Sequence, residues 1–225
     1  MKKLLFVGCS ILIVIQAKVH ILQNDMNIKK GVTSWIEIKN KNLTRQKYDY
    51  SCGSASLSTI LKYYYHQNIS EKQILESVMK MKGITKKNIV QKYKEANGLS
   101  FLDLSSFVKD KGFKALGLAL DMDALKKLQI PVILYVKIRK SEHFTVYKGM
   151  DDRYAYLADP TMGNTKVRLS KFKEMFYQRE DLAYPGKILA ILPLSDTIVA
   201  HKDFMIFPKA SSLVYKSIGL KMLKK

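Results

Sequence analysis

The chain has 225 residues, 47% of them apolar, and only two cysteines; it suits one domain of ordinary size with appendages and excludes a small scaffold that depends on disulfides. Its 39 Lys and Arg residues against 19 Asp and Glu give a formal charge of +20. The lysines are scattered and no run alternates basic with aromatic residues, so no nucleic-acid partner is expected; a solvated lysine-rich surface explains the charge, with a taste for anionic partners as the sharper alternative.

The segment MKKLLFVGCSILIVIQAK opens with Lys2 and Lys3, runs apolar from Leu4 to Ile15 and offers the small Ala17. It reads as a signal peptide over residues 1–17 and implies an exported, periplasmic or extracellular protein. The apolar stretch is shorter than the roughly 20 residues that span a bilayer, and an uncleaved membrane anchor is the alternative. Cleavage would leave Cys52 as the single, unpaired cysteine.

Residues 18–43 are expected to form an N-terminal arm, in which the alternation Trp35-Ile36-Glu37-Ile38 predicts a short strand or extended segment. A domain over residues 44–194 follows. Its first helix starts at Cys52, with Leu57, Ile60, Leu61 and Tyr64 on one face. Ser70 and Gln73 form a capping-box pattern that opens a second helix. TKKNIVQKYKEAN predicts a third, and SFLDLSSFVKDKGF a fourth that stops at Gly112. From Phe113 the pattern changes to FKALGLAL as a strand, DMDALKKLQ as a short capped helix and IPVILYVKI as a buried strand. HFTVYKGM and RYAYLADP read as a hairpin, Ser170 to Gln178 as an amphipathic helix and KILAILPL as a closing strand. Helices first and an antiparallel sheet second make an α+β fold. Residues 195–225 form a basic C-terminal extension with the character of a helix that touches the domain or a membrane surface.

Cys52 follows Ser51, a residue type that caps helices, and so occupies the positive end of a helix, a position that favours a thiolate nucleophile. Gly53 leaves room for a substrate. A small buried residue is the equally open alternative. Of the four histidines, His20 and His201 lie in flanking arms, and His66 ends the Cys52 helix about 20 Å from its start. His143 is left as a base, although a lone histidine at a strand edge is ordinarily a surface residue. A turn centred near Asp151 sets His143 opposite Asp159, where a carboxylate could orient the imidazole. The Cys52 backbone N–H and Gln46 are available as oxyanion donors, although Gln46 by itself is an ordinary polar loop residue.

QKYDYSCGSA from Gln46, HFTV from His143 and ADP from Ala158 together resemble the bacteriocin-processing, double-glycine-leader cysteine peptidases of the papain-like clan, from about Thr44 to Phe176. The resemblance implies a papain-like fold, Cys52 as nucleophile, His143 as base, Asp159 as its orienter and Gln46 as oxyanion donor. It implies hydrolysis of a peptide bond through a thioester, often after a Gly-Gly or Gly-Ala pair, with no cofactor and no metal. The partners it implies are a peptide or protein substrate and an exporter or membrane surface. Two features depart from the family pattern. Ser51 stands where an acidic residue is common, and the chain lacks the G-x-x-x-x-G-K-[ST] phosphate loop of the exporter-linked members. The expectation is a standalone exported cysteine endopeptidase, with an inactive peptide-docking module or a thioester-forming acyltransferase as alternatives.

Overall fold

A computed structural model describes residues 18–23, 26–31, 33–84 and 98–205. The expected signal segment, the third expected helix over 85–97 and the last twenty residues of the expected C-terminal extension lie outside these. The chain divides into two units, residues 1–38 and residues 39–225. In the first, β1 (Lys18–Gln23) and β2 (Met26–Gly31) pair as an antiparallel hairpin.

The strand expected around Trp35 is instead a helix, α1 (Trp35–Asn40). A four-residue alternation is too short to outweigh the cap before it. Ser34 N donates to Glu37 Oε2 at 2.6 Å and Glu37 N donates to Ser34 Oγ at 3.2 Å, a reciprocal S-x-x-E box that satisfies the first-turn donors.

In the second unit α2 (Cys52–Thr59) continues into a π-turn at Ile60–Tyr64. Residues 53–59 are all buried, because the run GSASLST presents small side chains on every face and lets neighbours close in. Burying so many hydroxyls is tolerated since each finds an acceptor: Ser54 donates to the Ser51 carbonyl, Ser56 to Phe144, Ser58 to Ile69 and Thr59 to Ala55. Two capped helices pack beside it. Ser70 and Gln73 close a capping box on α3 (Glu71–Met81), and Ser100 and Asp103 close another on α4 (Phe101–Lys109).

The sheet follows, with β3 (Phe113–Leu120), the short helix α5 (Met122–Lys126), β4 (Val132–Ile138), β5 (Ser141–Met150), β6 (Tyr154–Asp159), β7 (Gly163–Arg168), α6 (Leu169–Phe176) and β8 (Gly186–Pro193). Six strands run in the order β3-β8-β4-β5-β6-β7, each antiparallel to its neighbour. One face packs against α2, α3 and α4 through residues such as Ile133, Val146 and Leu189. The other receives Phe172 and Phe176 of α6 on Val132, Leu134 and Tyr147. This double coverage is why β4 reads as an unbroken apolar run.

The packed body extends beyond Leu194. His201 N donates to the Tyr64 carbonyl at 2.7 Å, and Phe204, fully buried, tilts against the Tyr64 ring. Among the described residues no helix is long and apolar enough to cross a membrane.

Gly186 lies directly against the α6 ring of Phe176. A Cβ there would collide with that ring, which is fully buried and stacked on Phe172. Gly186→Ala is expected to cost about 1–3 kcal/mol of stability, read as a lower urea midpoint. An unchanged midpoint would contradict this packing.

Candidate active site

The segment before α2 is held from below by a carboxyl group that sequence reasoning missed. Glu71, only 3% exposed, accepts Lys47 N at 3.0 Å and the Ser51 hydroxyl at 2.5 Å, both on Oε1. Ser51 precedes the helix as expected, but its hydroxyl does not cap it. The buried carboxyl is a stronger acceptor for that hydroxyl than the helix N–H groups are competitors for its lone pairs, and Tyr48 N donates to it at 3.2 Å. Nothing in the sequence marks Glu71, which looks like a first-turn acid beside the Ser70 cap.

Cys52 is partly exposed at the start of α2, on an otherwise buried helix. Gly53 is not a clearing for substrate as expected; it is buried, and a Cβ would meet the Phe144 ring at 3.1 Å. Its small size lets α2 lie close on β5, and this brings Cys52 to His143 on the same strand.

His143 Nε2 lies 2.9 Å from Asp159 Oδ2, and the Cys52 side chain is near enough to the same imidazole to favour its charged form. With Nε2 taken by the carboxylate, Nδ1 is the nitrogen left for the thiol. Asp159 is fully buried, and its other oxygen accepts Thr161 N and Met162 N, each at 2.8 Å. Burial disfavours the charged imidazole, but the bond to Asp159 and then the nearby Cys52 outweigh it, so His143 is pushed up from 6.5 to about 9. Burial likewise opposes ionisation of Asp159, yet its bond to His143, the charge on that ring and the two backbone N–H groups hold its carboxyl below the usual range.

The meeting of His143 and Asp159 does not come from direct opposition. The ladder pairs Val146 with Ala158 and Tyr147 with Leu157, with a bulge between Tyr147 and Gly149. Extended by one residue, that register sets Asp159 opposite Thr145, two residues from His143. The bulge and a wider turn shift the pairing by an even step, and side chains alternate with period two. His143 and Asp159 therefore remain on one face as diagonal neighbours, within reach of a long side chain.

Gln46 is tied to the same turn. Its backbone N donates to the Pro160 carbonyl at 3.0 Å, and its Oε1 accepts the Thr161 hydroxyl at 2.8 Å. The strand β7, which the sequence reading did not identify, anchors the segment further. Asn164 Nδ2 donates to the carbonyls of Lys39 and Lys41, and Gly163, at φ +88°, leaves no space for a Cβ against Lys39. All four residues singled out in the sequence thus lie in one cluster, while His66 and His201 meet elsewhere with ring centroids 5.1 Å apart. Among the described residues no group of three or more His, Cys, Asp or Glu could hold a metal ion.

The model of the Peptidase C39 family matches residues 40–95 and 82–179, which include the whole cluster. The chain belongs to the Peptidase C39 family. It is 32% identical over 145 residues to a probable functional amyloid protease, FapD, of Pseudomonas fluorescens, a match that covers 64% of this chain and 61% of the relative. It is 29% identical to the pediocin PA-1 transport/processing ATP-binding protein PedD of Pediococcus acidilactici, over 64% of this chain and 18% of that protein. The chain thus spans about three-fifths of the FapD relative and a smaller share of PedD. Among solved structures it is similar to a double glycine motif protease of an AMS/PCAT transporter crystallised with its leader peptide, with a TM-score of 0.51 and 24% identity over 67% of this chain and 90% of that one. The peptidase domain of Streptococcus ComA, a bifunctional ABC transporter, gives 0.50 and 20% over 67% and 97%. These structural likenesses bear on the fold, which is the α+β fold of C39 peptidase domains. Membership makes the chain cysteine peptidase-like.

Glu71 gives this C39 site a test independent of any substrate. Glu71→Ala leaves the buried Ser51 hydroxyl and the Lys47 N–H without their acceptor, at an expected cost of about 1–3 kcal/mol. Glu71→Gln keeps an oxygen in place and should recover most of it. Chemical denaturation of the three proteins checks the order.

Proposed function

We propose that the protein is a cysteine endopeptidase in which Cys52 is the nucleophile, His143 the acid and base, Asp159 the residue that orients His143, and Gln46 an oxyanion donor. One observation carries the reading. The same half-buried imidazole is bonded to Asp159 through Nε2 and lies near the Cys52 side chain, so a proton can pass between sulfur and ring while the carboxylate stabilises the charged form.

In the reaction the Cys52 sulfur attacks the carbonyl carbon of the scissile peptide bond, and the carbonyl oxygen takes up the negative charge. The Gln46 side-chain amide and the Cys52 backbone N–H stabilise that oxyanion. His143 protonates the departing amine through Nδ1 as the C–N bond breaks, leaving an acyl thioester on Cys52. It then removes a proton from water, which attacks the thioester, breaks the C–S bond, releases the carboxylic acid and returns Cys52 and His143 to their starting state.

We propose an exported compartment and a peptide or protein substrate, on the strength of the signal-like first seventeen residues. A bond after a Gly-Gly or Gly-Ala pair is the first specificity to test. The support for it is the likeness to a double glycine motif protease and to PedD, whose description includes processing. The likeness to a probable functional amyloid protease adds an amyloid-forming polypeptide as a second substrate to try.

The test is cleavage of a peptide library containing Gly-Gly and Gly-Ala leader sequences, followed by mass spectrometry. Cys52→Ala is expected to abolish product, and Gln46→Ala to lower kcat about 10²-fold to 10³-fold. Binding without product, or a Cys52 thiol in the folded protein that resists iodoacetamide, would overturn the reading.

The ion pair also sets a pH limit. His143 is raised, so its charged form is present at neutral pH and is lost as pH rises through about 9. The alkaline limb of kcat/KM should fall there, and Asp159→Asn should move that limb to lower pH while reducing kcat by about 10²-fold or more.

A further inference from the structure

We infer that Thr161 is a positioning residue that anchors the oxygen end of the Gln46 amide and so holds its NH₂ end in place for the oxyanion. This deepens the proposed peptidase reading and rests on it.

A glutamine amide has an accepting and a donating end of nearly the same shape, and a partly exposed one can turn over; only the NH₂ end can stabilise an oxyanion. The surroundings of Gln46 remove that freedom. The Tyr48 carbonyl can only accept, and Gln46 Nε2 donates to it at 3.0 Å. Oε1 must then face Thr161, whose hydroxyl donates to it at 2.8 Å. Turning the amide over would set a carbonyl oxygen against the Tyr48 carbonyl and lose that bond, so Tyr48 sorts the two ends and the Thr161 hydroxyl holds the sorted amide in place. One Nε2 hydrogen serves Tyr48, and the second is left for a substrate oxygen.

Thr161 can hold it because its own backbone is fixed. Its N–H donates to Asp159 Oδ1 at 2.8 Å, and the neighbouring Pro160 carbonyl accepts Gln46 N at 3.0 Å. The hydroxyl thus hangs on a turn that is organised by the carboxylate bonded to His143. Through Thr161, the residue that orients the base also holds the oxyanion donor in place. Thr161 touches neither Cys52 nor the path of the proton, so its loss should weaken stabilisation of the transition state without disturbing the nucleophile.

The test compares wild type, Thr161→Val, Thr161→Ser, Gln46→Ala and the double variant Gln46→Ala/Thr161→Val. The readouts are cleavage of a fluorogenic Gly-Gly leader peptide, affinity for the corresponding peptide aldehyde, and the rate of Cys52 alkylation by iodoacetamide. The aldehyde forms a hemithioacetal with the thiol, and its oxygen stands for the oxyanion. Thr161→Val is expected to lower kcat and aldehyde affinity about threefold to tenfold with KM unchanged. Thr161→Ser should restore both. Alkylation should proceed at the wild-type rate, and the valine should add nothing once Gln46 is alanine. Wild-type kcat in Thr161→Val beside an impaired Gln46→Ala would overturn the inference and leave the peptidase reading intact. So would an equal further loss in the double variant, or slowed alkylation, since either means that Thr161 acts through something other than Gln46. A wild type that neither cleaves the peptide nor captures the aldehyde overturns the peptidase reading, and this inference falls with it.

Discussion

The fully buried carboxylate of Asp159 is the constraint on which the rest of the site depends. A charge in that position is costly unless it is hydrogen-bonded, and it receives His143 on one oxygen and two backbone N–H groups on the other. Satisfying the carboxylate therefore does three things at once. It occupies Nε2 of the imidazole and leaves Nδ1 for another partner, it favours the charged form of the ring, and it coils residues 159–162 into the turn that receives Gln46.

The nucleophile side is built on the same plan with a second buried acid. Glu71, on a different helix, gathers Lys47 and Ser51 and so fixes the end of the loop from which α2 departs. The helix itself contributes little specific polar contact to the cluster. Its run of small residues lets Cys52 approach β5, and Gly53 against Phe144 sets how near it comes. Two buried carboxyl groups, one on each side, thus organise the polar segments around Cys52 and His143, while Cys52 itself packs against the apolar core.

Much of this was legible in the sequence. Capping boxes announced α3, the apolar run of β4 announced a strand covered on both faces, and Cys-Gly, His and Asp-Pro in that order announced the cluster. What was not legible follows from the range of the interactions concerned. The register of the hairpin depends on a bulge at Lys148, which no turn residue signals. Only the parity of side-chain direction kept His143 and Asp159 on one face. The helix at Trp35 was hidden behind a short alternation, although Ser34 and Glu37 carried its cap. Glu71 and Thr161 act across long separations in sequence, and an acid in a first turn or a threonine after a proline carries no local mark of such a role.

The tie between Gln46 and Thr161 joins positions 115 residues apart. The cluster therefore has no partial form: a chain that has reached the end of β5 owns a thiol and an imidazole but no group to orient the ring or aim the amide. Any reactivity that depends on all four side chains requires the pairing of β5 with β6 and the turn that follows it, and belongs to the folded chain alone.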